Sequence, residues 1–168
     1  IASFECTDLD LIKRVAMTQK PLIISTGMAN EAEIGEAVET ALRYGSGELT
    51  LLHCVSGYPA PSEEYNLRTI ADMKNQYGTN VGLSDHTLTN DLALVAARDG
   101  YSVFEKHFML EDTPVTSPDY VVSISPEPFV DYVAVINSGA AMGRSEILPP
   151  VNQDDERIWA RRGLDGLR

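Results

Sequence analysis

Short apolar runs alternate with amphipathic segments over most of the chain, and the alternation repeats five times. The apolar runs are short enough to be buried strands, and the first reads as only the end of one. They cover residues 1–4, 22–27, 49–54, 81–84 and 101–107. The segments between them carry apolar residues at helical spacing and capping residues such as Asn30, which has Glu33 three positions later. The last predicted helix runs from about residue 126 to residue 142, after a short β-like run at 121–123.

Strands and helices in this alternation predict right-handed βαβ units and a parallel sheet. Because the strands are nearly all apolar, the sheet should be covered on both faces. Five units are too few to close an eight-stranded barrel, so the pattern predicts an α/β fold that is a partial TIM barrel. An open doubly wound sheet is the alternative, although no Gly-x-Gly-x-x-Gly follows any strand to support a dinucleotide-binding version of it.

Polar side chains that could bind ligands follow each of the five apolar runs. In a parallel sheet or barrel, the carboxyl ends of the strands open onto one face, where ligands bind. Five such clusters in register are a more specific signal than any one of them. They are Ser3 with Glu5, Ser25 with Thr26, His53 with Ser56, Ser84 with Asp85 and His86, and Glu105 with Lys106 and His107.

Two of the three histidines occupy matching positions on adjacent predicted strands. Side chains alternate along a strand, so His86 shares a face with Ser84, and His107 shares a face with Glu105. Neutral imidazoles suit Mn, Fe, Co or Zn, and a carboxylate widens the choice towards Mn and Mg. The pattern therefore predicts a divalent-metal site formed by His86 and His107 and supported by Glu105. The third histidine, His53, lies inside its strand, where a structural role and a place behind the metal ligands are equally open.

Hydroxyl groups where the strands meet their loops form a second candidate feature. They belong to Ser25, Thr26, Ser56 and Ser84, and the backbone N–H groups of Gly27 and Gly57 lie nearby in sequence. Together such groups can bind a phosphate or a carboxylate. Ordinary turn and capping chemistry is the alternative explanation for the same serines.

Composition restricts the possible partners and compartment. The length of 168 residues suits one domain with a sizeable core. The net charge of −12 argues against nucleic acid and anionic membranes as partners, and no apolar run is long enough to span a membrane. Cys6 and Cys54 lie near apolar runs, which is typical of free buried thiols in a reducing compartment, so we expect a cytoplasmic protein. The chain starts within a predicted strand, and we expect it to be a piece of something longer.

Six segments carry specific combinations of residues. They are IASFE at 1–5, KPLIISTGMA at 20–29, HCVSGYPAP at 53–61, NLR at 66–68, GLSDHT at 82–87 and EKHF at 105–108. Together they resemble the sialic acid synthase family, and the resemblance runs from residue 1 to about residue 140. It implies that residues 1–142 are the C-terminal part of a TIM (β/α)8 barrel, strands 4 to 8 with their helices. Residues 143–168 would then be a linker, or the start of a segment leading to a C-terminal domain.

The resemblance also implies a reaction. Members of the family condense phosphoenolpyruvate with an open-chain N-acetylated amino sugar, giving a nine-carbon 2-keto-3-deoxy sugar acid and phosphate. His86 and His107 would bind the divalent metal (Mn or Mg), and Glu105 would lie beside it to orient sugar or water. The implied substrate contacts are Ser3, Ser25, Ser56 and Ser84 to the carboxylate and phosphate of phosphoenolpyruvate, and Tyr58 and Asp119 on the sugar side.

Within the family, the segments at 1–5 and 56–59 look closest to pseudaminic acid synthases, with N-acetylneuraminate synthase as the near alternative. Residues 120–122 and Gly163 depart from the family pattern and leave the sugar open. The family also has three earlier barrel strands with a phosphate-binding lysine, and a C-terminal antifreeze-like domain whose arginine reaches the partner's site in a dimer. The resemblance thus implies a homodimer at full length and no activity for this piece alone.

Two further functions compete with this reaction. One is hydrolysis at the same metal site, which would need another ligand, and Glu5 is the distant candidate for it. The other is a non-catalytic sugar-binding fragment of a barrel, in which the residues at the strand ends have no chemical role.

Overall fold

The computed structural model describes residues 1–144. In that range one parallel sheet contains, in chain order, β1 (Leu22–Ser25), β2 (Leu49–His53), β3 (Asn80–Asp85) and β4 (Phe104–Lys106). The α-helices of the same range are α1 (Leu9–Ala16), α2 (Glu31–Tyr44), α3 (Thr69–Tyr77), α4 (Asp91–Arg98) and α5 (Pro126–Met142). Short 3-10 helices lie at Ser3–Glu5 and Ser62–Tyr65.

Local sequence signals account for several helix ends. The Asn30 side chain accepts hydrogen bonds from the N–H groups of Ala32 and Glu33, and the Glu33 carboxylate accepts one from the Asn30 N–H, which completes a capping box. Helix α3 ends at Gly78, whose φ of +65° is left-handed and therefore favours glycine. Pro126 begins α5, where its missing N–H costs no helical hydrogen bond.

The hydrophobic core lies between the sheet and the helices that cover its outer face. The strand register aligns Ile24 with Leu51 and Leu51 with Val81, and all three side chains are buried. Ile12 of α1 and Ile70 of α3 are fully buried in the same cluster. Since side chains alternate along each strand, the opposite, inner face is free to carry the polar residues at the strand ends.

The predicted parallel sheet is confirmed, with two corrections at the level of single elements. Ile1 does hydrogen-bond to β1 as a neighbouring strand would, through its amino group to Ile23 O (2.9 Å) and its carbonyl to Ser25 N (3.1 Å). The strand predicted at 1–4 is nevertheless wrong in extent, because Ser3–Glu5 turns into a 3-10 helix. The β-like run predicted at 121–123 is also wrong, since those residues form turns that follow Asp119.

Residues 145–168 lie outside the described residues, and with them lie Gly163 and most of the segment predicted to be a linker. Helix α5 ends at Met142. The domain boundary predicted after residue 142, between the barrel and a linker, stays a prediction. None of the helices within residues 1–144 has the length and apolar character needed to cross a lipid bilayer.

Candidate active site

A cavity of about 750 Å³ opens at the carboxyl ends of the strands, on the inner face of the sheet. This is the end of a parallel barrel where ligands bind. Its lining includes eight predicted site residues: Ser3, Ser25, Tyr58, Ser84, His86, Glu105, His107 and Asp119. The remaining predicted site residue, Ser56, lies next to Ser3, with its hydroxyl 3.2 Å from the Ser3 hydroxyl.

Glu105 is held in the cavity by hydroxyl groups from two other strands. The register sets it opposite Ser84 on β3. The Ser84 hydroxyl donates a hydrogen bond to Glu105 Oε1 at 2.7 Å, and the Ser25 hydroxyl of β1 donates to the same oxygen at 3.2 Å. One carboxylate oxygen is therefore fixed, and this sets the orientation of the other.

His86 and His107 lie close together, with ring centroids 5.2 Å apart and an angle of 66° between the ring planes. Nδ1 of His86 donates to the Val55 carbonyl at 2.7 Å, so Nε2 carries the lone pair of the neutral ring. Burial lowers the pKa of His86 and outweighs the opposing effect of the Val55 carbonyl, which keeps the ring neutral at pH 7. Nδ1 of His107 lies 3.7 Å from Asp119 Oδ2, which is too far for a direct hydrogen bond.

The two imidazoles form a donor set that fits a divalent metal. A metal-binding histidine usually has its other ring nitrogen oriented by a carbonyl or a carboxylate, and the Val55 carbonyl does this for His86. Within residues 1–144, no group of three or more His, Cys, Asp or Glu side chains surrounds a common point where a metal could lie. A metal bound here would take two ligands from the described residues and the rest from water or substrate oxygens.

Gly27 allows the hydroxyls of Ser3 and Ser56 to meet. Its φ of +50° is left-handed, and a Cβ at this position would lie 2.6 Å from Ser56 Oγ and would overlap the Ser3 side chain. Of the hydroxyls predicted to cluster, Ser56 meets Ser3, and Ser25 and Ser84 meet at Glu105. Thr26 joins neither pair, because its hydroxyl donates to the Leu52 carbonyl at 3.2 Å and has a structural role.

Phe4 and Tyr58 form an aromatic wall on one side of the cavity. The Tyr58 ring centroid lies 4.5 Å from that of His86 and 5.7 Å from that of His107, and the Phe4 ring stacks on Tyr58 at 6.3 Å. Sequence reasoning did not identify Phe4 as a site residue, because an aromatic residue at the end of an apolar run is more often part of the core. Its 61 % exposure shows that it is not a core residue.

Asp85 and Lys106 point to the outer face of the sheet, as side-chain alternation predicts. Their side chains are 0 % and 2 % exposed, and Lys106 Nζ lies 3.4 Å from Asp85 Oδ1. Burial lowers the pKa of Lys106, and the Asp85 carboxylate opposes that shift. Thr87 donates to Asp85 through its N–H and its hydroxyl, both at 2.8 Å, and its carbonyl accepts from Lys106. These contacts join the ends of β3 and β4 behind the cavity.

His53 and Tyr65 lie behind β3 and do not line the cavity. The His53 ring donates from Nε2 to the Tyr65 carbonyl at 2.5 Å. The Tyr65 hydroxyl accepts from the His86 N–H at 2.7 Å and donates to the Ser84 carbonyl at 3.3 Å. Sequence reasoning missed Tyr65 entirely, because these hydrogen bonds join residues that are far apart in the chain.

Comparison with known proteins gives these residues a family context. The NeuB family matches residues 1–146 of the chain. The chain belongs to the NeuB family. The resemblance to sialic acid synthases drawn from the six segments is thereby confirmed.

Two curated relatives show how much of a NeuB protein the chain represents. Pseudaminic acid synthase from Helicobacter pylori is 38% identical over 96% of this chain and 48% of its own length. N,N'-diacetyllegionaminic acid synthase from Campylobacter jejuni subsp. jejuni is 41% identical over 76% of this chain and 38% of its own length. The chain thus spans about half the length of the curated relatives it matches.

A solved structure supports the fold. The crystal structure of N-acetylneuraminic acid (sialic acid) synthetase from Leptospira borgpetersenii, in complex with citrate, matches this chain with a TM-score of 0.80 at 28% identity. The match covers 97% of this chain and 58% of that one. The partial TIM barrel predicted from the sequence is confirmed.

Proposed function

We propose that the protein containing this NeuB chain condenses phosphoenolpyruvate with an open-chain N-acetylated amino sugar, as a pseudaminic acid synthase. The products would be a nine-carbon 2-keto-3-deoxy sugar acid and phosphate. The observation that carries the proposal is that His86, His107 and Glu105 line one cavity together with Ser3, Ser25 and Ser84. N-acetylneuraminate synthase, acting on N-acetylmannosamine, is the alternative within the same reaction class.

The charge of the cavity supports a requirement for a divalent metal. Phosphoenolpyruvate is anionic, yet the described lining carries the carboxylates of Glu105 and Asp119. Lys106 is the only lysine or arginine in that described lining, and its ammonium is paired with Asp85 on the outer face. A metal bound to His86 and His107 would provide the positive charge that this part of the chain does not direct into the cavity.

The proposed reaction forms one carbon–carbon bond and breaks one carbon–oxygen bond. C3 of phosphoenolpyruvate attacks the aldehyde carbon with the enol π electrons, and the aldehyde oxygen receives the carbonyl electron pair and takes up a proton. Water then adds to the cationic C2 and gives a proton to a base. The resulting hemiketal phosphate expels phosphate together with its hydroxyl proton, which leaves the 2-keto group. A divalent metal in the site would stabilise the negative charge that develops on the aldehyde oxygen.

The side chains of the cavity suit these events. Glu105 would orient the water and take its proton, because Ser25 and Ser84 hold its carboxylate in a fixed direction. The Ser3 hydroxyl, which accepts from Ser56, would donate to the carboxylate or phosphate of phosphoenolpyruvate, whereas the protons of Ser25 and Ser84 are used on Glu105. The aromatic wall would pack against apolar groups of the sugar, and Asp119 would accept hydrogen bonds from its hydroxyls.

The test is a phosphate-release assay on the complete gene product with phosphoenolpyruvate, Mn²⁺ and a panel of 2-acetamido and 2,4-diacetamido sugars. We expect release that requires both metal and sugar and is fastest with a 2,4-diacetamido sugar. Fastest release with N-acetylmannosamine would instead favour the N-acetylneuraminate alternative. Release without sugar, or no release with any sugar, would contradict the condensation.

Replacing His86 or His107 with alanine is expected to abolish metal-dependent phosphate release, since each substitution removes one of the two imidazoles that the site offers to a metal. The measurement is turnover across a Mn²⁺ titration that starts from chelator-treated protein. Turnover that survives in either variant would remove that residue from the proposed ligand set.

The competing functions are less well supported. Hydrolysis was expected to need Glu5 as a further metal ligand, and Glu5 is not part of the cavity lining. A non-catalytic sugar-binding role would appear as sugar binding without phosphate release in the same assay. The homodimer implied by the resemblance stays a prediction, which light scattering on the complete gene product would check.

A further inference from the structure

The segment between β2 and α3 holds His86 through three hydrogen bonds. The Val55 carbonyl accepts from the His86 ring at 2.7 Å. The Ala60 N–H donates to the His86 carbonyl at 3.1 Å, and the Tyr65 hydroxyl accepts from the His86 N–H at 2.7 Å. Both the ring and the backbone of His86 are thus oriented from residues 55–65, outside its own strand.

Tyr65 is the residue of this segment that acts through its side chain. The residue is completely buried, and its hydroxyl accepts from the His86 N–H while it donates to the Ser84 carbonyl at 3.3 Å. A tyrosine hydroxyl has one proton to donate, and here that proton is used. Burial raises the pKa of Tyr65 far above its ordinary value, so the hydroxyl keeps its proton. It therefore links the two residues on either side of Asp85 at the end of β3.

His53 fixes Tyr65 in turn. Its ring donates from Nε2 to the Tyr65 carbonyl at 2.5 Å, and the two rings meet edge to face with centroids 6.1 Å apart. A continuous series of contacts therefore runs from His53 through Tyr65 to His86.

We infer that Tyr65 is a positioning residue for the metal site: its hydroxyl fixes the end of β3 so that the His86 ring lies against His107, and His53 holds Tyr65 in place. This inference rests on the metal-binding part of the proposed function. A purely structural role for Tyr65 as a core residue would predict lost stability without a specific effect on metal binding.

The matched comparison is Tyr65→Phe against Tyr132→Phe in the complete gene product. Both substitutions remove one buried hydroxyl, but only the Tyr65 hydroxyl is hydrogen-bonded to the backbone of Ser84 and His86, whereas the Tyr132 hydroxyl faces the Asp85 carboxylate. Mn²⁺ affinity is measured by titration, with the free ion detected by electron paramagnetic resonance. We expect Tyr65→Phe to weaken Mn²⁺ binding about tenfold, as loss of a group that orients a metal ligand does, and Tyr132→Phe to leave it unchanged. Unchanged affinity in Tyr65→Phe, or an equal loss in both variants, would overturn the inference.

Two further comparisons test the route through His86. In a His86→Ala background, Tyr65→Phe should cause no additional loss of Mn²⁺ affinity, and a full additional loss would contradict the inference. His53→Ala should weaken Mn²⁺ binding, whereas His53→Gln should retain it, because the Gln amide can donate to the Tyr65 carbonyl in place of Nε2. If circular dichroism shows that Tyr65→Phe is unfolded, the two His53 variants test the inference instead. Equal Mn²⁺ affinity in His53→Ala and His53→Gln would then overturn it.

A metal-free measurement separates this inference from the proposed function. Hydrogen exchange of the His86 amide should be faster in Tyr65→Phe than in the unaltered protein and unchanged in Tyr132→Phe, because only the first loses the acceptor. Unaltered exchange in Tyr65→Phe would overturn the positioning role. Failure of the unaltered protein to bind Mn²⁺ would instead count against the metal part of the proposed function.

Discussion

Glu105 owes its orientation to serines on two other strands, which distinguishes it from an ordinary surface glutamate. The hydrogen bonds from Ser84 and Ser25 both end on Oε1, so the carboxylate cannot rotate freely even though it faces an open cavity. A fixed carboxylate beside two imidazoles is suited to directing a water molecule and accepting its proton. Because glutamine has the same shape as glutamate, the role of the Glu105 charge can be tested separately from the role of its shape.

Glu105→Gln keeps the shape and an oxygen that can accept from Ser84 and Ser25, but it removes the proton acceptor. We expect the turnover number for phosphate release to fall by about 10²–10⁴-fold, the usual contribution of a general base, with little change in Mn²⁺ affinity. Glu5→Gln is the control, because Glu5 does not line the cavity, and it should retain full turnover. A Glu105→Gln variant with normal turnover would exclude Glu105 as the base.

The sequence predicted the cavity residues that lie at strand ends and missed Tyr65, which lies outside the cavity and contacts residues far away in the chain. His86, His107 and Glu105 could be predicted because side-chain alternation and parallel strands are regular, so position in the chain determines the face and the end. Tyr65 could not, since its hydroxyl reaches β3 only after the chain has turned back through the Ser62–Tyr65 3-10 helix.

The ends of β3 and β4 are joined on the outer face of the sheet by a buried ion pair. Lys106 follows Glu105 and Asp85 precedes His86, so the pair lies directly behind the candidate site. Breaking a buried pair leaves one charge unpaired in the interior, which costs far more than losing a surface pair.

Lys106→Met should therefore lower the free energy of unfolding by about 3–5 kcal/mol, because it leaves the Asp85 carboxylate buried without its partner. Arg98→Met removes the Arg98–Asp99 pair, whose side chains are 53% and 45% exposed, and should cost at most about 1 kcal/mol. Urea denaturation of both variants and the unaltered protein measures the difference. Equal stability of the two variants would show that the buried Lys106–Asp85 pair contributes no more to folding stability than the exposed pair.

Among the elements, helices were predicted better than the first strand. Helix α5 has the predicted limits because Pro126 and Gly143 are strong local signals. Of the strand predicted at 1–4, only Ile1 makes strand-like backbone contacts with β1. The polar Ser3 lines the cavity at the start of a 3-10 helix and does not continue the strand. An apolar run indicates burial, but it does not determine where an extended backbone must stop.

Across residues 1–144, the inner face of the sheet is polar at the strand ends and apolar below them. A second cavity of about 530 Å³ on this face is lined mainly by apolar side chains, including Ile23, Phe108 and Phe129. Ile23 and Phe108 are 44% and 49% exposed, which is unusual for large apolar side chains grouped together.

The 168-residue chain alone is expected to bind the dye 8-anilinonaphthalene-1-sulfonate and enhance its fluorescence, because this apolar surface is accessible in residues 1–144. The double variant Ile23→Asn with Phe108→Asn should reduce the enhancement. Met17→Asn, at an exposed apolar residue elsewhere, should not. An unaltered chain that leaves the dye dark would contradict the expectation.

Side chains alternate at the ends of β3 and β4. Glu105 and His86 line the cavity on one face, and Lys106 and Asp85 form the buried ion pair on the other. Inserting or deleting one residue in either strand would exchange these faces, sending the buried charges into the cavity and the cavity side chains into the interior. A change of length in either strand would therefore disrupt the candidate site and the buried ion pair together.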